Sequence, residues 1–233
     1  MTMRSITTGL GLAVGLTLAS CSPSATPAVD EKAAAATEAA AVFKAPSGDY
    51  VLDKAHASVF FKVSHVGISQ YVMRFTKFDA TIKLDAANIA NSSVVVTIDP
   101  KSISADYPLD YLATHADRGF KSWDEELAMS PRFLNAGQHS EITFRSTQVE
   151  QTGPDTARVT GDLTMVGQTH PVTMDVKLIG STDKHVITKT GALGLEAKTT
   201  FDRTQFGMSA MGNGTVTLEF NGEFNQVVAA PAA

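Results

Sequence analysis

Strict alternation of apolar and polar residues is the feature of this chain that most restricts its fold. In GDLTMVGQTHPVTMDVKL, residues 161–178, apolar side chains occupy every second position on both sides of Gly167. A period of two places alternate side chains on opposite faces of an extended strand, so each strand has one apolar and one polar face. The stretch predicts two strands joined by a tight turn, and their apolar faces must be covered.

The same alternation recurs along the chain and predicts about eight strands. They are predicted at residues 59–65, 71–84, 92–98, 142–149, 156–165, 171–179, 193–201 and 215–224. Within 71–84 the apolar positions change from odd to even numbers, which predicts a β-bulge near Thr76 and Lys77. Eight antiparallel strands with one apolar face each predict an all-β closed barrel. At this strand number the interior is either filled by side chains or holds one small ligand.

Between residues 106 and 138 the alternation stops. Ser122 followed three residues later by Glu125 predicts a capped short helix, with Trp123 and Leu127 one turn apart. Its acidic start, residues 124–126, is predicted to be solvated and favoured by the helix dipole. An insertion of this length in a small barrel predicts short helices that cover one barrel end, and such long segments tend to be functional.

The chain termini differ from the barrel sequence in composition. Residues 1–20 join an early positive charge to an apolar run and predict a signal peptide. Cys21 is the single cysteine, and LASC at residues 18–21 resembles a lipobox, so Cys21 is expected to be lipidated. The alternative is a plain secreted protein that is cleaved at a later site between small residues. Residues 21–47 are expected to form a flexible tether, 48–227 the domain and 228–233 a disordered tail.

Composition and motifs argue against several function classes. The formal net charge is −5, and a basic face with interleaved aromatics is missing, so nucleic-acid binding is not predicted. The sequence shows no nucleophile elbow, P-loop or dinucleotide fingerprint, which favours a protein that is not an enzyme. Its histidines lack the spacing of metal ligands, so no metal site is predicted.

Four stretches together resemble the YceI-like family, the lipocalin-like polyisoprenoid-binding proteins of bacterial envelopes. They are YVLDKAHASVFFKVSHVG, ELAMSPRFLNAGQHSEITFRS, GDLTMVGQTHPVTMDVKL and FDRTQFGMS, in this order between about residues 49 and 227. The chain departs from the family pattern at Glu126, where histidine is frequent, and in the short segment after FDRTQFG. The resemblance implies an eight-stranded lipocalin-like barrel that encloses a polyprenyl chain or an isoprenoid quinone, with no other cofactor.

The resemblance and the alternation together give the candidate ligand-binding residues. They are Phe61, Val63, His65, Tyr71, Phe75, Trp123, Leu127, Phe144, Val176, Phe206 and Met208. Ordinary core packing is the alternative for the apolar members. His65 continues an apolar strand face and is the candidate hydrogen-bonding partner of a lipid head group, with a histidine satisfied by a backbone carbonyl as the alternative. Asp53, His56 and Arg203 belong to the family pattern and are expected to fix turns.

The predicted function is to bind and shield a long-chain isoprenoid at the cell envelope, as a carrier or reservoir. The expected partners are this lipid and, through Cys21, a membrane facing the periplasm, the outer membrane where the host has one. A homodimer is left open. The alternative is an envelope stress-protection or interaction lipoprotein that uses the barrel only as a scaffold.

Overall fold

A computed structural model describes residues 43–210 and 212–228 of the chain. Ten strands are present in these residues: β1 Gly48–His65, β2 Ser69–Phe75, β3 Phe78–Leu84, β4 Ser93–Ile98, β5 Ile103–Ser104, β6 Ile142–Gln151, β7 Thr156–Met165, β8 Gln168–Thr182, β9 Ala192–Asp202 and β10 Thr215–Gln226. The helices are α1 Leu112–His115 and α2 Trp123–Met129, with 3-10 turns at Ile89–Asn91, Pro100–Ser102, Ala116–Arg118 and Arg203–Phe206. The predicted signal peptide, Cys21 and most of the predicted tether lie outside the described residues.

The strands form one closed antiparallel barrel. The order around it is β10, β9, β8, β7, β6, β4, β3 and β1, and β1 pairs with β10 to close the ring. The first part of β1 pairs with β3 and its second part with β2, so β2 and β3 occupy one strand position. The predicted eight-stranded, lipocalin-like all-β barrel is thereby confirmed.

The predicted change of parity lies where β2 ends and β3 begins. Met73 and Phe75 are buried in β2, whereas Ala80 and Ile82 are buried in β3. The chain leaves the sheet for two residues at this point, and the backbone amide of Thr76 donates to the carbonyl oxygen of Ser102 at 3.0 Å. A short break in the sheet, held by the neighbouring 3-10 turn, therefore produces the change of parity that was expected from a bulge.

A second irregularity, in β1, was not predicted. Leu52 pairs with Phe224 and Ala57 with Gly222, so residues 53–56 bulge opposite a single residue of β10. Inside this bulge the His56 Nδ1 and Asp53 Oδ2 atoms are 2.9 Å apart. That hydrogen bond lowers the pKa of Asp53 and raises the pKa of His56. The pair stabilises the local bend, in agreement with the structural role expected for both residues.

Gly167 lies in the turn between β7 and β8 as predicted, but β8 begins at Gln168, before the predicted Pro171, so the turn has only two residues. Met165 pairs with Gln168, and the turn residues Val166 and Gly167 have φ angles of 50° and 74°. Two successive left-handed residues match the twist of the flanking strands in a type I′ turn. Glycine adopts this conformation without steric cost, whereas a β-branched valine does so under strain.

Substitutions at the two turn positions should have opposite effects. Gly167→Val should lower the free energy of unfolding by about 1–3 kcal/mol, because it places a β-branched residue at positive φ. A Cβ atom there would also lie 2.8 Å from Cε1 of His139. Val166→Asn should raise the free energy slightly, since asparagine tolerates the left-handed region. Denaturant unfolding of both variants measures this, and an unchanged midpoint for Gly167→Val would contradict the turn geometry.

Residues 105–138, here called the cap segment, lie at one end of the barrel and contain both α-helices. As predicted, the Ser122 side chain accepts a hydrogen bond from the backbone amide of Glu125, at 3.1 Å. The prediction of a solvated acidic start is wrong for Glu126, which is 2% exposed. Its carboxylate accepts from the Tyr111 hydroxyl at 2.7 Å and pairs with Arg118 at 2.9 Å. The cap segment therefore contains its own buried polar network.

The residues that precede β1 pack at the opposite end of the barrel. Ala45 is 3% exposed and packs in a cluster that includes Leu193 and Phe224. The Tyr50 hydroxyl donates to the carbonyl oxygen of Pro46 at 2.6 Å. The predicted tether boundary at residue 47 is therefore wrong, because residues 43–47 are part of the folded domain. Within residues 43–210 and 212–228, none of the helices is long and apolar enough to cross a bilayer.

Candidate ligand-binding cavities

Two adjoining cavities occupy the barrel interior. The larger has a volume of about 380 Å³ and the smaller about 150 Å³. The residues that line both are Ile98, Ile142, Leu163, Phe201 and Leu218. They form a shared wall where the inward faces of five strands meet. The side chains of the barrel thus leave apolar space between them.

The larger cavity extends from this shared wall to the barrel end where residue 43 joins the domain. Its wall is mainly aliphatic and aromatic, and its polar residues are concentrated in the loops around residues 86–93 and 151–156. Thr199 also lines it, but its hydroxyl donates to the backbone oxygen of Thr173 at 2.7 Å. An apolar cavity with polar groups only at its rim suits a hydrocarbon chain.

The smaller cavity lies beneath the cap segment. Trp123, Leu127 and Phe133 of that segment contribute to its wall. On the barrel side, the rings of Phe61 and Phe75 are stacked with their centroids 5.1 Å apart. Its polar lining comprises Ser64, His65, Tyr71, Trp123 and Arg203. Because the Tyr71 hydroxyl donates to the carbonyl oxygen of Ala105 at 3.2 Å, β2 is linked directly to the start of the cap segment.

The structure brings most of the sequence-predicted ligand residues together. Eight of them line the smaller cavity: Phe61, Val63, His65, Tyr71, Phe75, Trp123, Leu127 and Met208. Phe144 and Val176 line the larger cavity. Phe206 lines neither cavity and is fully buried, with its ring 5.0 Å from the His170 ring and 5.7 Å from the Phe201 ring. Contact between these residues and a ligand stays a prediction.

His65 lies at the end of β1, on the rim of the smaller cavity. The residue is exposed, and its backbone oxygen accepts from the amide of Ile68 at 3.0 Å. Its imidazole ring is therefore placed where it can reach both solvent and a group inside the cavity. The choice between a head-group contact and a purely structural role stays a prediction.

Sequence reasoning missed the outer half of the larger cavity. Val94 and Val96 of β4, Leu193 and Leu195 of β9, and Phe43 all line it. The alternation of Leu193, Leu195 and Ala197 indicated an inward face, but nothing local separated cavity lining from ordinary core. Phe43 was assigned to the tether because its neighbours in sequence are small and polar.

One group of metal-ligating side chains comes together in the described residues. Ligand atoms of Asp53, His56 and Glu223 lie within 4.8 Å of one another, at the bulge in β1. His56 and Glu223 are exposed, and His56 is already hydrogen-bonded to Asp53. The proximity of Glu223 follows from the pairing of β1 with β10, so the sequence spacing did not reveal this group. No metal is assigned to it.

Comparison with known proteins decides the family. Residues 50–224 match the YceI-like domain. The chain belongs to this family. A UPF0312 protein of Vibrio cholerae is 40% identical over 141 residues, which cover 60% of this chain and 67% of the relative.

Solved structures agree with the YceI-like barrel. The Campylobacter jejuni YCEI protein superposes with a TM-score of 0.58 at 23% identity, covering 76% of this chain and 97% of the other. A polyisoprenoid binding domain from Saccharophagus degradans, described as implicated in plant cell wall breakdown, has a TM-score of 0.51 at 12% identity. That match covers 76% of this chain and 98% of the domain. At these identities the likeness concerns the fold.

Proposed function

We propose that this protein binds a long-chain isoprenoid lipid inside its barrel and shields it from water, as a carrier or reservoir at the bacterial envelope. The observation that carries the proposal is the pair of adjoining apolar cavities within a YceI-like barrel. Burial contributes roughly 0.8 kcal/mol per methylene group, so a tail of several isoprene units binds well with few polar contacts. The polyisoprenoid binding domain that shares this fold supports the choice of lipid.

We propose further that the barrel is tethered to a membrane through a lipidated Cys21. The larger cavity reaches the end of the barrel where residue 43 joins it, because Phe43 is part of its lining. A tether attached at that end would keep the cavity opening near the bilayer surface. The Cys21→Ser variant should stay uncut by the lipoprotein route and lose acyl labelling, because only a thiol accepts the diacylglyceryl group. Unchanged fractionation and labelling would contradict the anchor.

A series of prenyl alcohols tests the binding proposal directly. Geraniol, farnesol and geranylgeraniol share one head group and differ only in the number of isoprene units. The affinity should rise by at least roughly tenfold with each added unit until the cavities are filled, because each unit buries more apolar surface. Titration calorimetry measures the affinity for each alcohol. Equal and weak binding of all three would show that the barrel does not recognise the tail, and would favour the scaffold alternative.

A further inference from the structure

The loop between β8 and β9 holds two large apolar side chains out in solvent. Val186 is 76% exposed and Ile187 is 75% exposed. The backbone amide of His185 donates to the oxygen of Thr190 at 2.7 Å, and the amide of Lys189 donates to the oxygen of His185 at 2.9 Å. The Lys189 ammonium group also donates to the oxygen of Val186. The loop is thus closed at its base, and Val186 and Ile187 form its tip.

Two more exposed apolar side chains lie at the same barrel end. Val227 and Val228 follow β10 and are 52% and 61% exposed. The backbone amide of Gln226 donates to the oxygen of Gly191 at 2.8 Å, so the end of β10 lies beside the base of the β8–β9 loop. Single exposed apolar residues are common on protein surfaces, whereas a group of them at one place marks an interaction surface.

The rim of the larger cavity lies at this end as well. Residues 86–89 and 153–155 line the cavity and belong to the loops that connect β3 to β4 and β6 to β7. In an antiparallel barrel alternate connections lie at the same end, so these loops are neighbours of the β8–β9 loop. The backbone amide of Lys44 donates to the Ser181 hydroxyl oxygen at 2.7 Å, which places the incoming chain beside the end of β8. A surface that touches the tip therefore also faces the cavity rim.

Exposed lysines flank the tip. Lys184 precedes it, Lys189 follows it, and Lys44 lies where the chain enters the domain. Two lysines against Asp183 give residues 183–190 a net charge of +1 with neutral histidine. Lysine side chains can reach anionic lipid head groups while apolar neighbours enter the bilayer. Acidic residues at this end include Asp49, Asp85 and Asp155. The apolar tip therefore contributes more to such a contact than charge does.

We propose that the tip of the β8–β9 loop inserts into the surface of an anionic bilayer and turns the rim of the larger cavity toward the membrane. This docking goes beyond the proposed tether, because an attachment at Cys21 alone does not fix which side of the barrel meets the bilayer. A bilayer is the favoured occupant because the chain from the proposed anchor joins the domain at this same end, at Phe43. The inference rests on the proposed function for its purpose, since an isoprenoid could then enter the barrel without crossing water.

Fluorescence quenching on the full chain tests the docking. Cys21 is the single cysteine and is expected to be acylated, so Ile187→Cys provides one thiol for an environment-sensitive dye. Ile68→Cys is the matched control, because Ile68 is 86% exposed in the turn between β1 and β2, at the opposite barrel end. Both proteins are reconstituted into phosphatidylcholine and phosphatidylglycerol vesicles that contain lipids with a spin label on the acyl chain. The dye at position 187 should be quenched at least about threefold more strongly than the dye at position 68. Without phosphatidylglycerol the quenching at position 187 should weaken.

Each other outcome overturns a defined part of the inference. Equal or stronger quenching at position 68 would refute the proposed orientation of the barrel. Quenching at neither position, in vesicles that retain the protein, would refute the insertion and leave the anchor intact. Vesicles that do not retain the protein would refute the anchor and the docking together. Equal quenching with and without phosphatidylglycerol would refute the role of the lysines. Isoprenoid binding is measured separately with the prenyl alcohols, so failure of the docking is distinguishable from failure of the proposed function.

Discussion

Val176→Phe is expected to abolish prenyl binding while changing the stability of the ligand-free protein by less than about 1 kcal/mol. Val176 is half-buried on β8 and lines the larger cavity. Its partners across the two neighbouring strands are Ala157 and Ala197, and both also line that cavity. A phenylalanine ring therefore has empty volume to enter, and it would occupy the place of the lipid tail.

The control for Val176→Phe is the same ring placed in a filled part of the molecule. Ala128 in α2 is buried and lines neither cavity, so Ala128→Phe should overpack its surroundings at a cost of about 1–3 kcal/mol. Val63→Phe repeats the test in the smaller cavity. Denaturant unfolding measures the stability of each variant, and farnesol titration measures its lipid binding. If Val176→Phe is destabilised as much as Ala128→Phe and still binds farnesol, the larger cavity is not the ligand site.

Arg118→Met should have the largest effect on stability, because it removes the cation that neutralises a buried carboxylate. Glu126 is almost completely buried, whereas the Arg118 side chain is 37% exposed. Removing Arg118 leaves the Glu126 carboxylate buried with only the Tyr111 hydroxyl as a partner. Removing Glu126 instead allows Arg118 to turn toward water, so Glu126→Leu should cost clearly less.

A double-mutant cycle checks this asymmetry. The double variant Arg118→Met, Glu126→Leu should recover most of the stability lost in Arg118→Met, because it removes the buried charge together with its partner. Urea unfolding of the wild type, both single variants and the double variant gives the four free energies. The assignment of Glu126 as the buried charge would be contradicted by a larger loss of stability in Glu126→Leu than in Arg118→Met. A double variant that is less stable than both single variants would contradict it as well.

The barrel could be predicted from the sequence because the alternation of apolar and polar residues within each strand shows which of its faces is buried. The strands from β6 to β10 were located to within a few residues, since their inward side chains recur every second position. The first part of β1 was missed. Residues 53–56 bulge there, so the alternation of Tyr50 and Leu52 is out of phase with that beginning at Val59.

The site was harder to predict than the fold, for a physical reason. Alternation identifies which side chains point inward, but whether they touch each other or enclose space depends on residues brought together from distant strands. Ala157 and Ala197 leave room beside Val176 only because β7, β8 and β9 are neighbours. Likewise, the sequence shows Glu126 beside other acidic residues, whereas its partners Tyr111 and Arg118 come from the preceding turns.

The most direct test of the central claim is to ask what the purified protein already contains. The Cys21→Ser variant, which lacks the expected acylation site, is purified in parallel with Cys21→Ser, Val176→Phe, and both are extracted with organic solvent and analysed by mass spectrometry. A prenyl lipid in roughly equimolar amount in the first preparation, and its absence from the second, is the predicted result. Equal traces of lipid in both preparations, or no prenyl lipid in either, would contradict a barrel that encloses an isoprenoid.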